Sequence, residues 1–154
     1  MANTFTQLYI QFVFAVQNRE SLIQSKWKIE LYKYITGIIQ NHKHKLIAIN
    51  GMPNHLHVFI EYKPHQPIPA LLQFIKGCSS TWINRRGFTN KAFNWQKGYG
   101  AFSYSHSHID NVVQYILNQE KHHKKQTFKE EYIQLLERFN IDYNEQYIFK
   151  DIAR

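Results

Sequence analysis

A single cysteine, Cys78, stands in a chain of 154 residues, which excludes an intramolecular disulfide and fits a reducing compartment. Its neighbours Gly77, Ser79 and Ser80 suggest a small buried position on a helix. No apolar run approaches the length of a membrane span. Residues 1 to 20 lack a cationic start followed by an apolar stretch and a cleavage site, so a cytoplasmic location is expected. Repeats, low-complexity tracts and linkers are also missing, which predicts one domain over 1–154, with a core to about 125 and a helical extension over 126–154. Acidic residues are scarce through most of the chain. Residues 1–109 carry twelve Lys/Arg against three Asp/Glu, while 110–154 carry seven against eight. The first part is therefore at +9 and the second at −1, and a basic body suits a polyanion, nucleic acid foremost.

What is present is apolar and aromatic: 44% hydrophobic and 16% aromatic residues, enough to bury a real core. Residues 4 to 16 read as a long central strand, rich in β-branched and aromatic types. From Ser25 to Asn41, Trp27, Leu31, Tyr34, Ile35, Ile38 and Ile39 recur at helical spacing. Lys45 to Asn50 reads as a strand, turned by Gly51 to Asn54 into another over 55–62. Pro64 and Pro67 end it, and a second amphipathic helix follows to Arg85-Arg86-Gly87, with Gly as its cap. Residues 93 to 104 predict a strand kinked at Gly98 and Gly100. Ser107 with Asp110 and Thr127 with Glu130 have capping-box spacing and mark two further helix starts. The order β-α-β-β-α-β-α predicts an α+β fold, helices on one face of an antiparallel sheet.

Chemistry concentrates at His55-Leu56-His57. Alternation along a strand puts both imidazoles on one face, about 7 Å apart along the backbone, where they can converge on one metal at about 2.1 Å each. Glu61 shares that face about 13 Å further on, out of easy reach. Two histidines on a half-exposed strand face fit the same pattern, so the motif needs a partner elsewhere. The third helix offers one. Ile109, Val112, Val113, Ile116 and Leu117 form its docking stripe, and Tyr115 and Gln119 share a flank one turn apart, with His122 one turn beyond. Two imidazoles, an amide oxygen and open water positions suit Mg²⁺ or Mn²⁺ better than a closed zinc site. A phenol beside such a metal can act as a nucleophile on a phosphodiester.

His55-Leu56-His57 after Met52-Pro53-Asn54, with Val112-Val113-Gln114-Tyr115-Ile116-Leu117-Asn118-Gln119 downstream, resembles the single-tyrosine HUH transposases of small bacterial insertion sequences, the IS200-like family. The similarity runs on through Ile75-Lys76-Gly77, Ser80 to Asn84 and Trp95 to Phe102, and covers nearly the whole chain. It implies that His55, His57 and Gln119 bind the divalent metal and that Tyr115 attacks single-stranded DNA, leaving a 5′-phosphotyrosine and a free 3′-hydroxyl. It also implies a ferredoxin-like fold and a homodimer that binds DNA hairpins, in which the tyrosine helix can serve the partner chain. An obligate dimer is expected, with the His55/His57 strand and the Tyr115 helix from different chains in at least one state. The REP-associated relatives usually carry His-x-Asn-Pro after the tyrosine-isoleucine pair. Leu117-Asn118-Gln119-Glu120 stands here, which favours the insertion-sequence branch.

His106-Ser107-His108 is a second His-x-His, expected to be bonded locally at a helix start, and His122 and His123 are expected at a solvated helix end. Tyr99 and Tyr104 are rival nucleophiles without a ligand-type residue one turn away. Lys76, Arg85, Arg86, Lys91 and Lys97, interleaved with Trp82, Trp95 and Tyr99, are candidates for phosphate contact and base stacking. A relaxase-type or replication-initiator nuclease, a metal hydrolase using bound water, and a non-catalytic nucleic-acid-binding module are the competing classes.

Overall fold

The computed structural model describes residues 3–148, and the last six positions of the expected extension lie outside them. Four antiparallel strands form the sheet: β1 (Tyr9–Ala15), β2 (Lys45–Met52), β3 (His55–Glu61) and β4 (Gly100–Tyr104), in the order β2-β3-β1-β4. Every residue of β1 is buried, as a central strand with both faces covered must be. The expected strand over 4–16 is shorter because its partners end at Glu61 and Tyr104, both opposite Tyr9. Likewise only 100–104 of the expected 93–104 pairs continuously. Trp95 makes a single bridge to Val16, and Gly98, at φ 88°, breaks the run between them.

Ile10, Phe12, Phe14 and Val16, with Leu56, Val58 and Ile60, face α1 (Ser25–Asn41) and α2 (Ile68–Arg86). These two helices lie on one face, as predicted, and Gly87 caps α2 in the left-handed region at φ 66°. The later helices cover the opposite face instead, a departure from the one-faced arrangement. There α3 (Ile109–Leu117) brings Val112 and Ile116 onto Tyr9, Ala48 and Phe59. After α4 (Gln119–His122), α5 (Phe128–Arg138) packs Phe128, Leu135 and Leu136 on Val13, Ala15 and Phe102. A short α6 (Glu145–Ile148) follows. Both sheet faces are apolar, so both need a cover.

Two local expectations fail. The Ser107–Asp110 box does not form: a 3-10 turn over His106–His108 precedes α3, and Ser105 Oγ binds Ser107 Oγ and His108 Nδ1 instead. Cys78 is exposed, because α2 buries Leu71, Leu72, Ile75, Ser79 and Ile83 and position 78 falls off that stripe. The Thr127–Glu130 box does form, with Thr127 Oγ1 accepting from the Glu130 amide at 3.2 Å and Glu130 Oε1 from the Thr127 amide at 2.8 Å.

Candidate metal centre and tyrosine

The β2–β3 hairpin sets the position of His55. Gly51 has no room for a side chain, since a Cβ there would run into the His55 carbonyl oxygen. With His55 opposite Ala15 and His57 opposite Val13, both imidazoles project between β1 and the helices of the second face. Each ring is fixed from behind. His55 Nδ1 donates to Asn54 Oδ1 at 2.7 Å and His57 Nδ1 to Gln11 Oε1 at 2.7 Å. In each ring Nε2 is therefore the atom that would face a cation, and here it faces Glu131 Oε1. Phe128 lies over the His55 ring, centroids 3.9 Å apart, and closes the site from the α5 side.

The expected helix through Tyr115, Gln119 and His122 is broken at Asn118 (φ −98°, ψ 24°). Asn50 Nδ2 donates to the carbonyls of Ile116 and Leu117 at 3.0 and 3.3 Å, satisfying groups that the break frees. Tyr115 and Gln119 still converge on the histidines. Gln119 Oε1 lies 3.1 Å from His55 Nε2, and the Tyr115 ring is 5.8 Å from that of His57. His122 stays outside, its ring 4.8 Å from the Tyr115 ring, but His123 turns inward. His123 Nε2 is 3.2 Å from Gln119 Oε1, so the expectation of a solvated end fails for this residue.

Glu131 occupies the middle. Its Oε1 lies 3.1 Å from His57 Nε2, 3.3 Å from His55 Nε2 and 3.1 Å from His123 Nε2. Its Oε2 accepts from Gln119 Nε2 at 3.0 Å and from the Tyr115 hydroxyl. The sequence held one signal for it: Phe128, Glu131, Leu135 and Leu136 are spaced 0, 3, 7, 8, which puts a carboxylate on a buried stripe. His55, His57, Gln119 and Glu131 are all buried.

The electrostatics follow from this crowding. Burial brings His55 down to about 4 despite the pull of Glu131, which keeps its lone pair available at neutral pH. Burial alone would raise the Glu131 carboxyl, but His57, His123 and His55 together hold it well below the usual carboxylate range. Burial, and then the adjacent Glu131 charge, push the Tyr115 phenol well above its ordinary value. As it stands the phenol is held protonated.

His55, His57 and Glu131 place ligand-type atoms within 4.8 Å of one another and could hold a metal ion. A 550 Å³ cleft opens beside Tyr115, lined in part by Tyr104, His108, Asn111, Leu135 and Arg138. Tyr104 accepts a hydrogen bond from Gln11 Nε2 at 2.8 Å, while Tyr99 packs under the Lys76 ammonium.

A sequence model described as "Transposase IS200 like" matches residues 4–119. The chain belongs to the IS200-like transposase family. No curated protein sequence matches it. Among solved structures, a protein from Deinococcus radiodurans described as a transposase is similar at TM-score 0.61 and 19% identity, covering 77% of this chain and 95% of its own. A REP-associated tyrosine transposase bound to a REP hairpin is similar at TM-score 0.60 and 14% identity, covering 100% of this chain and 93% of its own. This transposase therefore shares the α+β fold of both.

The five basic candidates do not gather at the tyrosine. Lys76, Arg85 and Arg86 are on α2, across the sheet from it. The Lys76 ammonium donates to the Gln96 carbonyl at 2.9 Å and to that of Gly98. Arg86 pairs with Glu30 at 3.0 Å and lies over Trp82 and Phe88, and Lys91 pairs with Glu20. Arg85 and Lys97 are exposed.

Proposed function

We propose that this transposase cleaves and rejoins single-stranded DNA at insertion-sequence ends through Tyr115, with a divalent cation held by His55, His57, Gln119 and Glu131. The observation that carries the reading is the convergence of Tyr115 and a buried His-x-His pair on one carboxylate, Glu131, within one chain. The donors fit a divalent ion: two ligands about 2.1 Å from one centre and at right angles lie about 3 Å apart, the spacing seen here. A cation there would stabilise charge on the scissile phosphate and offset the Glu131 charge that opposes ionisation of the phenol.

Tyr115 Oη attacks phosphorus, forming the O–P bond of a 5′-phosphotyrosine while the bond to the 3′-oxygen breaks. The phenolic proton passes along the hydrogen bond to Glu131 Oε2 and on to solvent, and the departing 3′-oxygen takes a proton from solvent to end as a hydroxyl. The phosphotyrosine keeps the energy of the diester, so a second strand's 3′-hydroxyl can reverse the step and join new ends without ATP. The cleft beside Tyr115 receives the strand, with His108 and Arg138 on its wall. Arg85 and Lys97 contribute outer phosphate contacts, and Lys76, Arg86 and Lys91 do so only by giving up their present partners. A DNA hairpin is the preferred substrate, bound by a homodimer in the cytoplasm. No helix among the described residues is long and apolar enough to cross a membrane.

The test is Tyr115→Phe, which removes one oxygen. Hairpin DNA with a single-stranded flank should bind as to wild type, with no covalent adduct on a denaturing gel. An adduct at wild-type level would move the nucleophile to another tyrosine, Tyr104 first.

A further inference from the structure

The family match ends at residue 119, and two of the groups crowding the His-x-His pair come from beyond it. His123 follows α4, and Glu131 is on α5. The Nε2 atoms of His55, His57 and His123 each lie 3.1 to 3.3 Å from Glu131 Oε1. Gln119 Oε1 lies 3.1 Å from His55 Nε2 and 3.2 Å from His123 Nε2. His123 is fixed like the other two: its Nδ1 donates to the Gln126 carbonyl at 3.1 Å, leaving Nε2 as the ligand atom. Its side chain is only 7% exposed.

We infer that His123, from beyond the family match, joins His55, His57, Gln119 and Glu131 in the metal shell, making a site of three imidazoles, one carboxylate and one amide oxygen that selects Mn²⁺ or a later divalent transition ion over Mg²⁺. The inference rests on the metal reading above and changes its ligand set. Mg²⁺ dehydrates reluctantly, keeps several waters and is usually held through one or two carboxylates plus substrate phosphates. Five protein donors would strip most of those waters, and three of the five are imidazoles, which favour transition ions. In a six-coordinate shell they leave about one position, enough for one phosphate oxygen.

Binding is read directly, with the full chain, from loss of the free Mn²⁺ electron paramagnetic resonance signal during titration. Wild type should bind one Mn²⁺, and a hundredfold excess of Mg²⁺ should fail to displace it. Glu131→Gln and His123→Ala should each weaken binding by at least the roughly tenfold to hundredfold that an outer-shell partner costs. Unchanged affinity in both variants, or displacement by equimolar Mg²⁺, would overturn the inference. X-ray absorption of the Mn²⁺-loaded wild type needs no variant to fold: three imidazoles should appear in the shell, and two would sink it. An adduct assay on the same Mn²⁺ sample separates the two readings. Adduct with a two-imidazole shell rejects this ligand set and leaves the tyrosine reading standing, whereas a three-imidazole shell without adduct does the reverse.

Discussion

Amide oxygens, not carboxylates, hold the backs of both strand imidazoles: Asn54 behind His55 and Gln11 behind His57. Each fixes a tautomer and a ring angle without adding a charge to a pocket that already contains Glu131. Asn54→Ala leaves the sheet untouched, because Asn54 sits in the turn between β2 and β3. It should lower Mn²⁺ affinity about tenfold to hundredfold while the thermal midpoint stays near wild type. Calorimetric titration of metal beside a thermal melt checks both halves, and an unchanged affinity would mean the ring is held by packing under Phe128 alone. The convergence of His55 and His57 was legible because a strand alternates faces, and that of Tyr115 and Gln119 because their four-residue spacing keeps them together across the break at Asn118. His123 and Glu131 were not. Their approach depends on how the chain reverses between α4 and α5, and no periodicity within one element encodes that path.

Among the elements, α5 has two tasks, since it buries the second sheet face and delivers Glu131. The Thr127 cap ties its first turn, one turn before Glu131. Thr127→Ala should cost about 0.5–2 kcal/mol of stability. Because Glu131 is on that first turn, Mn²⁺ affinity should fall with it, whereas Ser at 127 should restore both. Denaturant melts and metal titrations of the two variants test this, and loss of stability with unchanged metal affinity would separate the cap from the site. The elements themselves were largely readable: α1 begins and ends where its apolar spacing predicts, and α2 stops at Gly87. The Ser107–Asp110 box misled because a 3-10 turn outcompetes it, with Ser105 spending its hydroxyl on His108. The second cover of the sheet was not readable, since strand alternation gives two apolar faces here and neither names its helix.

At the scale of the whole molecule, the site is complete in one chain, while the family resemblance allows the tyrosine helix to serve a partner. Docking of α3 on its own sheet buries Val112 and Ile116 against Tyr9, Ala48 and Phe59, and Asn50 of β2 grips the break after it. Lifting α3 away would expose those side chains and free the Ile116 and Leu117 carbonyls together, which opposes exchange in the absence of DNA. The expectation is therefore assembly in cis. Two inactive proteins test it, Tyr115→Phe and the double variant His55→Ala/His57→Ala, mixed under conditions that exchange subunits and then given a cleavable single strand in Mn²⁺. With cis assembly every site lacks either its nucleophile or its histidines, so no covalent adduct should form at any mixing ratio. Recovery of an adduct would show that α3 crosses between chains, and it should then appear on the histidine variant, which alone retains Tyr115. A size tag on one of the two proteins identifies the labelled chain on a denaturing gel, so the outcome reads out both the assembly and the donor of the tyrosine.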